Sequence, residues 1–167
     1  MKVKKSRRRE GKTDYKARIG LLKSGKERIV FRKTNKYVIG QYVKSIEAKD
    51  SVIIGLTSKE LLKYGWPESL INSLKSIPAG YLTGFLLGKK ILDKNEKAKA
   101  IFDIGLLASI KKSRAYSFLK GVIDAGVEVK VNEKMFPDEK RIRGTHLKNS
   151  ISENFDKIKN NIGKKFV

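Results

Sequence analysis

Cysteine is absent from the 167 residues, and histidine occurs once, at His146. Without a thiol there is no disulfide framework, and secretion has no positive support. One histidine without thiolates cannot fill an ordinary zinc site. In RGTHL that histidine has no visible partner to position it as a general base, so a surface or hydrogen-bonded role suits it better. Phosphate-cradling glycine loops are missing too. Neither GxGxxG nor GxxxxGK followed by Ser or Thr occurs, and FLLGKK has the wrong order. The longest largely apolar run is IPAGYLTGFLLG, Ile77 to Gly88, followed at once by two lysines. It is too short to cross a bilayer, and no signal-peptide pattern opens the chain.

Acidic residues are scarce, and that shortage shapes the rest. Asp and Glu total 17 against 39 Lys and Arg, a net charge of +22. A chain this basic repels itself unless a polyanion is its normal neighbour, and nucleic acid is the usual one. The charge is also uneven: residues 1–36 hold 15 Lys or Arg and 3 acids. The opening MKVKKSRRREGKTDYKARIG offers almost no apolar side chain before Ile19. Residues 1–18 are therefore expected to be a disordered basic arm that orders on a polyanion, with a solubility tail or localisation signal as the alternative. Tyr15 among the arginines can stack on a base, which favours docking.

Hydrophobic content of 40% is enough for a real core. Residues 19–130 read as a globular α/β domain and 131–167 as a basic extension. Ala17 to Leu22 suggests a short helix ending near Gly25. RIVFRKTNKYVIGQYV, Arg28 to Val43, reads as a β-hairpin. With Thr34-Asn35 as its loop, Lys33 faces Lys36, Arg32 faces Tyr37 and Arg28 faces Gln41. Ile29, Phe31, Val38, Gly40 and Tyr42 then share a core face, while cations crowd the tip. SVIIGL, Ser51 to Leu56, is a third strand. Thr57 and Glu60 suit a capping box opening a short helix that Gly65 stops. Asn72 to Ser76 is loop-like, and Pro78 suits the first turn of a helix to about Leu92. Its glycines Gly80, Gly84 and Gly88 make a smooth stripe for close approach to a helix or sheet. Ala100 to Ile104 is a fourth strand, parallel to the third if the intervening helices form a crossover. Ser113 to Ala125 is a helix closed by Gly126, and VEVKV is extended. From Leu147, Ile151, Phe155, Ile158 and Ile162 recur at helical spacing. The expected fold is α/β, a small mixed sheet (antiparallel hairpin plus parallel strand) layered with helices, with a basic N-terminal arm and a C-terminal helix.

Activated groups are few. Asp50, Asp93, Asp103 and Asp124 could cluster as a two-metal nuclease site, beginning from the strand residue Asp103, but no spacing ties them together. Basic clusters recur instead. Lys111, Lys112 and Arg114 stand at a helix N-terminus, where backbone N–H groups already favour phosphate. Lys140, Arg141 and Arg143 form another cluster. No recognition helix stands out, so the layout suits a folded RNA gripped by shape, phosphates and stacked bases.

RRREGKTDYKAR, RIVFRKTNKYVIGQ, AGYLTGFLLGKK, FDIGLLASIKKSRAYSFLKGVIDAGVEV and FPDEKRIRGTHL run in order through nearly the whole chain. In these segments the chain resembles the archaeal form of the large-subunit ribosomal protein eighteen family, which binds 5S rRNA in the central protuberance. The resemblance implies a structural protein without catalysis, cofactor, membrane or small-molecule substrate. Its expected partners are 5S rRNA, large-subunit rRNA and neighbouring ribosomal proteins of the central protuberance, in the cytoplasmic ribosome. Carried onto this sequence, Arg7, Arg8, Arg9, Lys12, Tyr15 and Arg18 thread into RNA. Arg28, Arg32, Lys33, Asn35, Lys36 and Tyr37 press the hairpin onto 5S rRNA. Lys111, Lys112, Arg114, Arg141 and Arg143 hold further backbone. Two departures are mild: Gly80 stands where alanine is expected, and the tail beyond His146 is rich in lysine and asparagine.

Overall fold

Alternation along the hairpin decides where the core begins. In the computed structural model, which describes residues 5–47, 49–96, 98–147 and 151–166, β1 (Glu27–Lys33) and β2 (Val38–Ile46) pair antiparallel. Ile29, Phe31, Val38, Gly40 and Tyr42 are all buried, as alternation predicts. The register is different. Thr34 closes the turn: its N–H donates to the Tyr37 carbonyl at 2.9 Å, and its Oγ1 accepts from the Tyr37 N–H at 2.8 Å. The tip is therefore Asn35-Lys36, and Lys33 faces Val38, Arg32 faces Ile39 and Arg28 faces Val43. A slip of two residues keeps every side chain on its face, so the core matches while the cross-strand neighbours do not.

Beyond the hairpin, β3 (Lys49–Thr57) pairs antiparallel with β2, with a register shift between Tyr42 and Val43. The fourth strand, β4 (Lys99–Asp103), runs in the direction of β3 as expected but pairs with β1. With β5 (Glu128–Val129) the order is β3-β2-β1-β4-β5. Burial explains the choice. Arg28 to Phe31 are buried in succession, as in an interior strand, whereas β3 is exposed along most of its length.

Two helices cover the apolar face. α3 (Ile77–Lys94) starts where Ser76 Oγ accepts from the Ala79 N–H at 3.4 Å, with Pro78 in the first turn. α4 (Arg114–Asp124) brings the Phe118 ring to 5.3 Å from Phe31. The glycine stripe of α3 faces α4. A Cβ at Gly84 would overlap the Phe118 carbonyl, and one at Gly121 would overlap that of Tyr81. The stripe is thus a helix–helix seam. No helix among the described residues is long and apolar enough to cross a membrane.

The segment Ser58–Tyr64 is helical where expected and ends at Gly65 with φ 101°, but it is a 3₁₀ helix. Thr57 makes no side-chain cap, and Glu60 turns to Lys90 on α3 at 2.7 Å instead of reaching back to the N-terminus. A second 3₁₀ stretch, Glu68–Ser73, extends into the expected loop. After α4 comes a 3₁₀ turn, Glu133–Met135, then α5 (Glu139–Arg143) and α6 (Ile151–Lys165). α5 was not foreseen. Ile151, Phe155, Ile158 and Ile162 are buried as the spacing predicts. They dock on α3 and the 58–64 stretch, with Phe155 at 5.4 Å from the Tyr81 ring and Asn161 Nδ2 donating to the Tyr64 carbonyl at 3.0 Å. Residues 148–150 of the lysine- and asparagine-rich tail lie outside the described residues.

The arm has local structure where disorder was expected. α1 (Ser6–Arg9) is one turn, and α2 (Tyr15–Lys23) begins two residues before the predicted start. Asp14 causes that: its carboxylate accepts from the N–H groups of Lys16 and Ala17 at 3.0 and 3.3 Å. Neither helix buries a residue. Residues 1–4 lie outside the described residues.

Candidate nucleic-acid interface

β1 is paired on both edges, and the inner part of its polar face is buried, which holds Arg28 inside the fold. Arg28 is 3% exposed. Its guanidinium donates to Asp103 Oδ2 at 2.8 Å and to Ser45 Oγ at 3.1 Å, and meets Asp50 Oδ1 at 2.7 Å. Its charge is paired within the fold, by Asp103 and Asp50. Arg32, beyond Val30 on the same face, is half-exposed, 3.7 Å from Asp103 Oδ1, and donates to the Phe31 carbonyl at 2.8 Å.

Asp103 is equally committed. Its Oδ1 accepts from the Gly105 N–H at 2.8 Å while Oδ2 holds Arg28. The carboxylate considered for a nuclease is therefore occupied by the fold. Asp124 accepts from the Tyr81 hydroxyl at 2.8 Å and pairs with Lys120 at 3.0 Å. Burial, helped by that carboxylate, pushes the Tyr81 hydroxyl well above its usual pKa, so it remains a donor. Among the described residues no group of three or more His, Cys, Asp or Glu could hold a metal.

Asp50 ties the arm to this network. It meets Arg18 at 2.8 Å and accepts from Ser45 Oγ at 2.7 Å. Partial burial pushes its carboxyl up, but hydrogen bonds from Ser45, Arg18 and Arg28 and the charge of Arg28 outweigh that and hold it at about 2. The tether brings Arg7, Lys12 and Arg18 to Arg28 and Arg32 around one cleft of about 480 Å³. Within the arm, Arg7 Nε donates to Thr13 Oγ1 at 3.0 Å, Arg8 pairs with Asp14 at 3.1 Å and Lys12 with Glu10 at 2.7 Å. Arg9 is exposed at the end of α1, and Tyr15 lies half-buried under Lys5 Nζ at 4.7 Å.

At the hairpin tip Lys33, Asn35 and Lys36 are exposed, and Tyr37 is half-buried against the core. Tyr37 faces Thr34, so the expected Arg32–Tyr37 pairing is absent. Asn35, Lys36 and Tyr37 border a second cleft, of about 340 Å³, together with Ile71, Asn72 and Lys75. Asn72 and Lys75 were not foreseen, since a single lysine in a weakly patterned stretch forms no cluster in the sequence. The structure marks the place by Ile71, an apolar residue left 39% exposed.

The entrance of α4 differs residue by residue. Lys111 is exposed. Lys112 braces the loop at φ 57°, its N–H donating to the Met135 carbonyl at 2.8 Å and its Nζ meeting Asp138 at 3.0 Å. Arg114 reaches the Lys75 carbonyl at 3.1 Å. Arg141 is exposed, while Arg143 pairs with Asp156 at 3.3 Å, also on the surface. The arm and β1 thus converge on one cleft, and Lys75 joins the hairpin tip to α4. The Arg141–Arg143 strip lines neither of these clefts.

Comparison with known proteins bears on this layout. Residues 1–101, from the arm through α3, match the family described as ribosomal large subunit proteins 60S L5 and 50S L18. This chain belongs to that family. The large ribosomal subunit protein uL18 of Korarchaeum cryptofilum is 50% identical over 146 residues, which cover 87% of this chain and 72% of that protein. The uL18 of Methanococcus maripaludis is 42% identical over 161 residues, covering 95% and 81%. As an L5/L18-family ribosomal protein, the chain carries its charge on a surface belonging to a ribonucleoprotein. Both the glycine seam of α3 and the basic tip lie inside the matched segment.

Proposed function

We propose that this protein is a structural constituent of the large ribosomal subunit that binds 5S rRNA and joins it to the large rRNA in the central protuberance, without turnover. One observation carries the reading: the scaffold is complete without the exposed cations Lys33, Lys36, Lys75 and Lys111. All four are exposed, and none has an ion-pair partner among the described residues. Charge held free of the fold is charge available to phosphate. Residues 1–18 act as the arm. Arg7, Lys12 and Arg18 meet RNA in the cleft that they share with Arg32, and Arg8, Arg9 and Tyr15 extend that contact. Lys33, Asn35, Lys36 and Tyr37 present the tip. Lys111, Lys112, Arg114, Arg141 and Arg143 hold further backbone, and residues 131–167 are the basic C-terminal extension, which docks through α6. Neighbouring ribosomal proteins cover part of the remaining surface in the assembled, cytoplasmic ribosome.

The test is binding of a 5S rRNA transcript to the full chain at several salt concentrations. Neutralising roughly 8 phosphates gives a log–log slope on the order of −6 to −7. A complex indifferent to salt, or no complex in dilute buffer, overturns the reading.

A further inference from the structure

Between the hairpin tip and the entrance of α4 lies a third cleft, of about 450 Å³, a size within the roughly 300–1,000 Å³ of ligand sites. Its wall is apolar, formed by Leu70, Ile77, Leu147 and Ile151, and Arg114 and His146 stand at its polar margin. It shares Asn72 and Lys75 with the tip cleft, so the two make a continuous track. No Asp or Glu lines either one, whereas the arm cleft contains Asp14 and Asp103. Arg114 is anchored by its bond to the Lys75 carbonyl at 3.1 Å, which sets its guanidinium beside the backbone bearing the Lys75 ammonium. His146 is exposed and makes no hydrogen bond with the described residues, so the fold assigns it no task.

We propose that this cleft receives an unstacked nucleobase of the bound RNA, with Lys75 and Arg114 meeting the phosphates on either side. The inference rests on the RNA-binding reading and adds a place where a base leaves its stack. A duplex backbone alone would need cations but no apolar wall. A peptide would suit the wall, yet the acid-free, cationic margin selects a polyanion. Specific RNA recognition characteristically takes bases from loops and bulges and lays them against histidine, arginine or aromatic planes. Here His146 supplies such a plane, and the aliphatic wall excludes water behind the base.

The experiment uses full-length protein with two probes, a 5S rRNA transcript and purified large-subunit rRNA. Asn72→benzoylphenylalanine places a photo-crosslinker at the mouth, and reverse-transcription stops report the nucleotide reached. Ser73→Leu fills the cleft and is expected to weaken binding of the RNA concerned about tenfold, the worth of one stacked base. His146→Ala, on an exposed residue, acts in the same direction without touching the core. Support is a crosslink at one unpaired nucleotide together with both losses, at unchanged melting temperature. Two results overturn the cleft while leaving the RNA-binding reading intact: crosslinks spread along duplex, or affinities equal to wild type. Retained RNA affinity with loss of a neighbouring ribosomal protein assigns the cleft to a peptide and also overturns it. If the wild-type chain binds neither RNA, the underlying reading falls first.

Discussion

The Arg28 guanidinium and the Asp103 carboxylate meet at 2.8 Å in the interior, on adjacent parallel strands, with side chains 4% and 7% exposed. This pair, not an interface with RNA, explains an arginine in the middle of β1. Breaking one side of a buried pair leaves an uncompensated charge, at about 3–5 kcal/mol. Arg28→Ala is expected to cost that much in urea denaturation, and Asp103→Asn to be destabilising as well. Arg28→Met with Asp103→Leu should recover most of the loss. An Arg28→Ala protein as stable as wild type but deficient in RNA binding would return Arg28 to the interface.

Lys33 and Lys36 stand exposed at the hairpin tip. Lys33→Ala combined with Lys36→Ala should reduce the salt slope of 5S rRNA binding by roughly 1.5 and leave the melting temperature nearly unchanged. Binding across a salt series and a thermal melt check both halves. A collapse in stability would place these lysines in the fold.

Two glycines in helices predict opposite outcomes. Gly84 faces the Phe118 carbonyl with no space for a methyl group, so Gly84→Ala should destabilise by about 1–3 kcal/mol through forced separation of α3 and α4. Gly163 on α6 has nothing within 4 Å of a Cβ. Gly163→Ala should therefore stabilise, by roughly 0.5–1 kcal/mol. Parallel denaturation curves decide.

Acid should release the arm. The Asp50 carboxyl is held at about 2 against an ordinary 3.8, so the folded state binds its proton less readily than the unfolded chain. Its contribution is complete above about pH 4 and is lost as the pH falls toward 2. An NMR titration of the carboxyl carbon should give a midpoint near 2, with α2 amides becoming less protected over the same range. Arg18→Ala should raise that midpoint. An Asp50 titrating normally would remove the tether.

Local alternation and spacing sufficed for the hairpin faces, the glycine stripe and the buried residues of α6, because each depends on neighbours a few residues apart. The hairpin register escaped by two residues, since the Thr34 hydroxyl, bonded to the Tyr37 backbone, moves the tip without changing any face. β4 was readable as a strand but not as the partner of β1. Choosing a sheet edge depends on which strand loses water on both faces. The same holds for the cations. Charge density along the chain marked the arm and the tip, but it could not show that Arg28 is paired in the interior or that Lys75 lies beside the hairpin tip. By itself the sequence determined the main strands and long helices, their buried faces and the surplus charge that calls for a polyanion. Only the tertiary structure decided which cations remain free, because ion pairs such as Arg28–Asp103 form between residues far apart in the chain and are set by distance in space.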